Sequence, residues 1–256
     1  MTEKTIGIDR FRSFLVLAAT IGTIAFNWLA VMGRINGVTP DMISDKYPTL
    51  ITPAGFAFTI WSLIYVGMIV FSIYQMLPAN LERFRGIRSY YILSCALNCG
   101  WIYMWLNDQI AICLALIFLL AASLFMINLH LRETKGHGEY WLVKAPFGIY
   151  FGWVTAATLV NFAVLLVHWN VQFSETVWTV VAIILILFAA LLGVLVRIRL
   201  VSYLYPLAIA WAMTGIGVKQ SGHTLVVSAA AVGLVVSLIT TLSFVTTLPS
   251  TDTPRE

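Results

Sequence analysis

Charged residues are scarce in this sequence: Asp, Glu, Lys and Arg make up 10% of the 256 residues, whereas hydrophobic residues make up 60%. A soluble domain carries roughly 25% charged residues. Because the deficit is spread over the whole length, the composition excludes a soluble domain with a single anchor. We therefore expect an all-α fold, a polytopic membrane helix bundle of about eight transmembrane helices.

The usual marks of catalysis, ion coupling and metal binding are also missing. The sequence has no GxSxG, HExxH or phosphate-loop motif. No acidic or basic residue lies deep in a predicted span, which disfavours an ion-coupled pump. The cysteines Cys95, Cys99 and Cys113 lie in apolar stretches without further metal ligands. We therefore expect no catalytic residue, no metal site and no required cofactor.

Apolar runs divide the chain into eight predicted spans. They cover about residues 14–32, 54–76, 90–106, 110–131, 145–167, 177–196, 201–218 and 224–246. The first run is too long for a typical signal-peptide core, so we expect it to be retained as a span. The connection over residues 33–52 is the longest and most polar between spans.

Basic residues are unequally divided between the two sides of an eight-span arrangement. Of the 15 Lys and Arg residues, all but Arg34, Lys46 and Lys219 fall on the side of the termini. The positive-inside rule predicts a multi-pass protein of the cell (inner or plasma) membrane, with both termini cytoplasmic and residues 33–52 outside. The net charge of +4 then reflects topology and anionic membrane lipids, and we expect no nucleic-acid partner.

Aromatic and asparagine side chains recur at helical spacing in three spans. Positions three, four, seven or eight apart lie on one face of a helix. The three stripes are Phe58, Trp61 and Tyr65; Asn98, Trp101 and Trp105; and Trp153, Ala157 and Asn161. Singly, such aromatics pack spans together or lie at the membrane interface, and such asparagines join helices. Together they predict an aromatic-lined cavity for a flat, mostly apolar ligand.

The same residues carry a resemblance to a known family. Residues 11–167 resemble the TspO/MBR family, the tryptophan-rich sensory proteins or translocator proteins. Its motifs in spans 2, 3 and 5 are matched by Pro53, Trp61 and Tyr65; by Leu97, Asn98 and Trp101; and by Trp153, Ala157 and Asn161. The long loop, with Tyr47 and Pro48 before Pro53, looks like the family's lid.

The resemblance implies a five-helix bundle that binds porphyrins (tetrapyrroles) or other flat hydrophobic molecules such as sterols or lipids, in a sensory, regulatory or transport-associated role. It implies that the three stripes bind the ligand and that Asp45, Tyr47, Pro48 and Pro53 belong to the lid. Residues 176–247 have no counterpart in the five-helix core. We expect them to form an additional three-helix membrane segment.

Other functions stay open at this point. The chain could be a passive transporter of a small amphipathic molecule, with residues 176–247 completing the path. It could degrade a bound porphyrin, or its last spans could dock a partner membrane protein. Homodimers are implied by the resemblance, and Gly148 and Gly152 form a small-xxx-small pattern on span 5 that is typical of helix packing.

Overall fold

The computed structural model describes residues 3–243, which contain only helices and their connections. The helices are α1 Glu3–Val31, α2 Pro40–Lys46, α3 Ile60–Tyr74, α4 Arg85–Leu106, α5 Ile110–His130, α6 His137–Glu139, α7 Ala145–His168, α8 Glu175–Leu200, α9 Leu204–Lys219 and α10 Thr224–Leu242. The all-α fold class is confirmed. The ends of the predicted eighth span and of the predicted C-terminal segment, residues 244–247, lie outside the described residues.

Six helical stretches within residues 3–243 are long and apolar enough to cross a membrane. They are Ile6–Val31, Gly55–Tyr74, Ile110–His130, His137–His168, Glu175–Leu200 and Thr224–Leu242. The chain is thus a polytopic helical membrane protein, but the predicted count of eight spans is not confirmed. The other two long helices are less suited to lipid, since α4 begins with Arg85 and Arg88 and α9 has only 16 residues. Both pack among the other helices, α4 against α1 and α5, and α9 against α7, α8 and α10.

The connections define two ends of the bundle. We call the end that holds residues 32–59 and the α4–α5 turn the lid end. We call the end that holds residues 75–84, 131–144 and 201–203 the basic end. The long loop at the lid end is partly ordered as α2, which begins at Pro40, a residue suited to a first helical turn because it has no N–H to satisfy.

The structure differs from the sequence-based prediction at the start of the second span. A helix is predicted directly after Pro53, but α3 begins only after a 3-10 turn. The N–H of Ala54 donates to Gly215 O at 2.9 Å, and Trp211 Nε1 donates to Ala57 O at 2.8 Å. These two bonds to α9 hold the backbone in a path that a regular helix starting at Pro53 would not follow.

The basic end contains a buried charge cluster that includes Arg85 and Arg88. Because the third span is predicted to begin at about residue 90, the sequence places both residues in the basic loop before it. That placement is wrong, since both lie in the first turn of α4. Arg88 is fully buried and donates to Gln75 Oε1 at 2.8 Å and to Leu81 O at 2.6 Å. Asp9 of α1, also buried, pairs with both arginines. Pairing and hydrogen bonding are what allow such charges to be buried.

The small-xxx-small pattern of α7 packs against α9. A Cβ atom at Gly148 would lie 2.5 Å from Ser202 Oγ, and one at Gly152 would lie 2.9 Å from Ala208 Cβ. The pattern therefore serves close helix packing within the chain. This face of α7 is covered by α9. A homodimer stays a prediction, and it would have to form through another face of the protein.

The C-terminal helices share a buried core with the N-terminal ones. One continuous cluster contains Val16, Phe71 and Tyr150 together with Ile209 and Ala230. The division into residues 11–167 and 176–247 stays a prediction, but the two parts are packed as one body of side chains.

Candidate ligand cavity

A cavity of about 910 Å³ lies in the lid-end half of the bundle. All nine residues of the three predicted stripes line it: Phe58, Trp61, Tyr65, Asn98, Trp101, Trp105, Trp153, Ala157 and Asn161. Among the predicted lid residues, Asp45 and Pro53 line the cavity, whereas Tyr47 and Pro48 do not. Short-range sequence patterns on separate helices thus converge on one space.

The cavity extends from the lid end to about the middle of the bundle. Its deepest lining residues include Leu120, midway along α5, and Ala189, midway along α8. Beyond them the core is filled by rings, with Phe71 4.9 Å from Phe147 and 5.0 Å from Tyr91, measured between ring centroids. The described residues therefore form a blind cavity rather than a continuous passage.

The wall of the cavity presents flat aromatic faces. Three ring pairs form it: Trp61–Tyr65, stacked at 5.6 Å and 26°; Trp101–Trp105, stacked at 5.9 Å and 24°; and Phe58–Trp153, edge-to-face at 5.8 Å and 85°. Offset stacking and edge-to-face contact are the favoured geometries of aromatic rings. The pairs hold one another in place, so the faces are already arranged before a ligand arrives.

The two asparagines of the stripes join helices to one another. Asn98 Oδ1 accepts a hydrogen bond from Asn27 Nδ2 at 2.7 Å, and Asn98 Nδ2 donates to Tyr150 OH at 3.2 Å. Asn161 Oδ1 accepts from Trp101 Nε1 at 3.1 Å. Because their amide groups are paired inside the protein, these residues tie α1, α4 and α7 together around the cavity.

Charged groups lie at the mouth of the cavity. The charged side chains among its lining residues are Asp41, Asp45 and Lys219. Lys219 Nζ lies 4.0 Å from Asp45 Oδ1, with both side chains substantially exposed. The cavity is therefore polar at the lid end and apolar inside, which matches an amphipathic ligand with a polar edge.

The lid helix α2 is fastened to the ends of α4 and α7. Tyr47 OH donates to Asp108 Oδ1 at 2.8 Å, and His168 Nδ1 lies 3.1 Å from the same hydroxyl. Lys46 forms an ion pair with Asp108. We call Lys46, Tyr47, Asp108 and His168 the lid latch. Tyr47 thus belongs to the lid, but it fastens the lid and does not line the cavity.

The charge states in the lid latch are mutually supporting. Burial raises the pKa of Asp108, but hydrogen bonds from Lys46 and Tyr47 outweigh it, so that this pKa is lowered overall. The hydrogen bond to Asp108 raises the pKa of Lys46, and burial raises the pKa of Tyr47. At neutral pH the latch therefore holds a carboxylate, an ammonium and a neutral phenol.

Residues of the C-terminal helices complete the cavity, which the sequence analysis did not foresee. The sequence predicted stripes on spans 2, 3 and 5 only. The apolar lining residues that α8 and α9 add are Leu185, Ile186, Ala189, Ala212, Met213 and Ile216. These side chains are small or aliphatic and do not differ in sequence from lipid-facing ones. The one available signal was the Gly148 and Gly152 pattern, which marks a helix packed closely on α7.

The three cysteines, Cys95, Cys99 and Cys113, are free thiols. Among the side chains of residues 6–243, no group of three or more His, Cys, Asp or Glu is placed to hold a metal ion.

Comparison with protein-family models identifies a match over most of the chain. The matching model is described as TSPO-like protein and covers residues 13–244. The matched region runs through α8, α9 and α10 as well as the first helices. The comparisons with curated proteins and with solved structures found no match.

Proposed function

The chain belongs to the TSPO-like protein family, and from this premise we propose that it is a sensory membrane protein that binds a porphyrin or another flat hydrophobic molecule, such as a sterol or lipid. The observation that carries the proposal is the convergence of all nine stripe residues on one cavity. Its volume of about 910 Å³ lies near the upper end of the range for small-molecule sites, roughly 300–1,000 Å³. A large ligand fits this volume better than a small metabolite.

The geometry supports one orientation of the ligand. A flat ring system would stack on the Trp61–Tyr65 and Trp101–Trp105 faces, where apolar contact is greatest. Polar substituents would point towards the mouth. A ligand that entered in the opposite sense would bury its polar groups without hydrogen-bonding partners, at a cost of about 1–3 kcal/mol for each group.

A binding role is better supported than passive transport. Transport requires a path to both sides of the bundle, whereas the cavity ends midway and Phe71, Tyr91 and Phe147 fill the core beyond it. On this proposal the ligand binds beneath the fastened lid and signals by shifting the balance between the latched lid and an unlatched one. The C-terminal helices, on this proposal, supply part of the wall of the binding site.

The proposal includes a topology. The basic end would face the cytoplasm, together with both termini, and the lid would lie outside the cell (inner or plasma) membrane. This assignment rests on the distribution of Lys and Arg in the sequence. The ligand would then reach the cavity from the outer side.

The test is a titration of protoporphyrin IX into the purified, detergent-solubilised full chain. Binding is followed through the absorbance of the porphyrin, since the variants remove tryptophans. We compare the wild type with Trp61→Leu/Trp153→Leu, in which two cavity faces are lost. As the matched control we use Trp141→Leu/Trp169→Leu, whose tryptophans are exposed and do not line the cavity.

We expect saturable binding by the wild type and the control, and an affinity at least about tenfold lower in the cavity variant, equivalent to about 1.4 kcal/mol. Trp153 is buried, so its loss could also disturb folding. Ala157→Phe, which adds bulk to the cavity wall without removing an aromatic ring, provides an independent variant. If both cavity variants bind protoporphyrin IX with unchanged affinity, the cavity is not the porphyrin-binding site. Titrations are run in darkness, and an illuminated duplicate detects breakdown of the porphyrin.

A further inference from the structure

A second group of unusual side chains lies at the basic end, remote from the cavity. Lys144 is 3% exposed, and its Nζ donates to Arg132 O at 2.6 Å. The guanidinium of Arg197 lies 3.7 Å from the centroid of the Tyr203 ring, and that ring contacts Tyr140 at 6.0 Å. We call these five residues the basic pocket. It is built from the ends of α5 and α8, the start of α9 and the turn before α7.

The basic pocket carries positive charge that the described residues do not balance. Arg132 and Arg197 are the cations that act on the Lys144 ammonium, and Glu139 is the carboxylate that does so. Glu139 is already engaged, because Arg83 donates to its Oε1 from Nε at 2.9 Å and from Nη2 at 2.5 Å. Among the side chains of residues 6–243, no ion pair includes Arg132, Lys144 or Arg197.

Hydrogen-bond donors in the basic pocket lack acceptors. Arg197 Nε is buried and has no hydrogen-bond partner among the described residues. The ammonium of Lys144 has three donors, and the structure pairs it with Arg132 O. A buried donor left without a partner destabilises the folded protein. Such a cluster of cations and unpaired donors points to an acceptor that carries negative charge.

The general excess of basic residues on one side of a membrane protein does not explain this arrangement. That excess requires only exposed Lys and Arg, such as Arg199 of α8. It does not require a lysine that is almost completely buried or an arginine whose Nε is buried. Lys144 also ends a π-helical turn, Tyr140–Lys144, and such turns occur frequently at functional sites.

We propose that the basic pocket binds the phosphate of an anionic phospholipid. Arginine and lysine together are suited to a phosphate, since the guanidinium fork and the ammonium donate to its oxygens. An exposed apolar side chain adjoins the pocket, since the Trp141 ring lies 5.1 Å from the Tyr140 ring. Leu142 and Ile198, near Lys144 and Arg197 in the sequence, are exposed as well. Acyl chains can lie along these side chains, whereas a free phosphate ion makes no apolar contact with them. Basic pockets between helices at the cytoplasmic face are known sites for anionic headgroups.

The test measures the melting temperature of delipidated full-length protein in a non-ionic detergent. The added probes are phosphatidylglycerol, phosphatidylcholine and inorganic phosphate, in separate arms. The variant is Arg197→Gln, which removes the guanidinium, and the matched control is Arg199→Gln, which removes an exposed cation from the same helical turn. Native mass spectrometry counts the phosphatidylglycerol molecules that remain bound to each protein.

We expect phosphatidylglycerol to raise the melting temperature of the wild type and of Arg199→Gln by several degrees, with one tightly held lipid in each. Arg197→Gln should bind that lipid at least about tenfold more weakly and lose the shift. Phosphatidylcholine should give little shift. An equal shift with inorganic phosphate would overturn the lipid assignment, because it would show that the pocket binds a free anion. If phosphatidylglycerol raises the melting temperature of Arg197→Gln as much as that of the wild type, the proposed site is overturned. Lys144→Met provides a second variant for the same comparison.

Discussion

The indole N–H of Trp101 donates a hydrogen bond of 3.1 Å to Oδ1 of Asn161, and this bond joins α4 to α7 at the wall of the cavity. Both residues belong to stripes that the sequence singled out separately. Their pairing shows that a stripe residue can line the cavity and position its neighbours at the same time. A change at Trp101 therefore affects both the face offered to a ligand and the spacing of two helices.

Trp101→Phe should destabilise the protein by about 1 kcal/mol, because Asn161 Oδ1 loses its interhelical donor. Unfolding in mixed micelles measures the free energy. Adding Asn161→Leu to Trp101→Phe removes both partners and should cost less than the sum of the two single changes. Strictly additive effects in this cycle would mean that the bond contributes nothing.

Gly152→Ala should destabilise the protein by about 2 kcal/mol, because the new Cβ collides with Tyr205 O and lies 2.9 Å from Ala208 Cβ. The atom that the new Cβ meets first is backbone, which cannot move aside as a flexible side chain would. Gly100→Ala is the matched control, since its Cβ would meet only Leu116 Cδ1 at 3.6 Å, an ordinary contact. The control should be neutral or slightly stabilising, as expected for alanine in a helix. Equal melting temperatures for the two variants would refute the close packing of α7 on α9.

The lid latch should open in acid. The pKa of Asp108 is lowered in the folded protein from an ordinary value of 3.8. The carboxylate form therefore stabilises the lid above that value, and its contribution is lost as the pH falls through the lowered pKa. Hydrogen exchange of residues 41–46, corrected for the intrinsic rate, should show steady protection from pH 7 to about 5 and loss below about pH 4.

Asp108→Asn should show low lid protection over the whole range of pH. Asp108 has a φ of +61°, which asparagine tolerates about as well as aspartate, so this substitution removes the charge without adding backbone strain. Asp41→Asn, an exposed change in α2 itself, should behave as the wild type. A lid that stays protected in Asp108→Asn would show that the latch is not what fastens it.

Asp9→Asn should cost roughly 2 kcal/mol of folding free energy, because Arg85 and the buried Arg88 lose a charged acceptor. Asp45→Asn is the matched change at an exposed aspartate, 4.0 Å from Lys219, where we expect no measurable effect. Chemical denaturation in detergent compares the two. If both variants unfold alike, the buried cluster is not a source of stability.

The stripes could be identified from the sequence because periodicity is a local property. Residues at i, i+3 and i+7 share a helix face whatever surrounds the helix, so the stripes of Trp61, Trp101 and Trp153 could be recognised without a fold. The family-model match confirms the family, and the structure confirms the all-α membrane fold. The structure also brings the three stripes together around one cavity, and their role in ligand binding stays a prediction.

Other features could not be read from local patterns. Arg88 looks like a loop residue by hydropathy, and only Asp9, far away in the chain, shows why it can be buried. The start of α3 is set by hydrogen bonds to α9, and the far wall of the cavity by aliphatic residues such as Ile186 and Met213. In a membrane protein apolar side chains face lipid and core alike, so hydrophobicity does not reveal which helix they contact.

The sequence by itself determined that this chain crosses a membrane as helices, which faces of three helices are aromatic, and which family it resembles. These properties follow from composition and from spacing within single helices. Only the tertiary structure decided that α8 and α9 close the cavity, that Tyr47 and Asp108 fasten the lid, and that Lys144 and Arg197 come close together at the basic end. Each of these depends on contacts between residues distant in sequence, whose pairing is set by how whole helices pack.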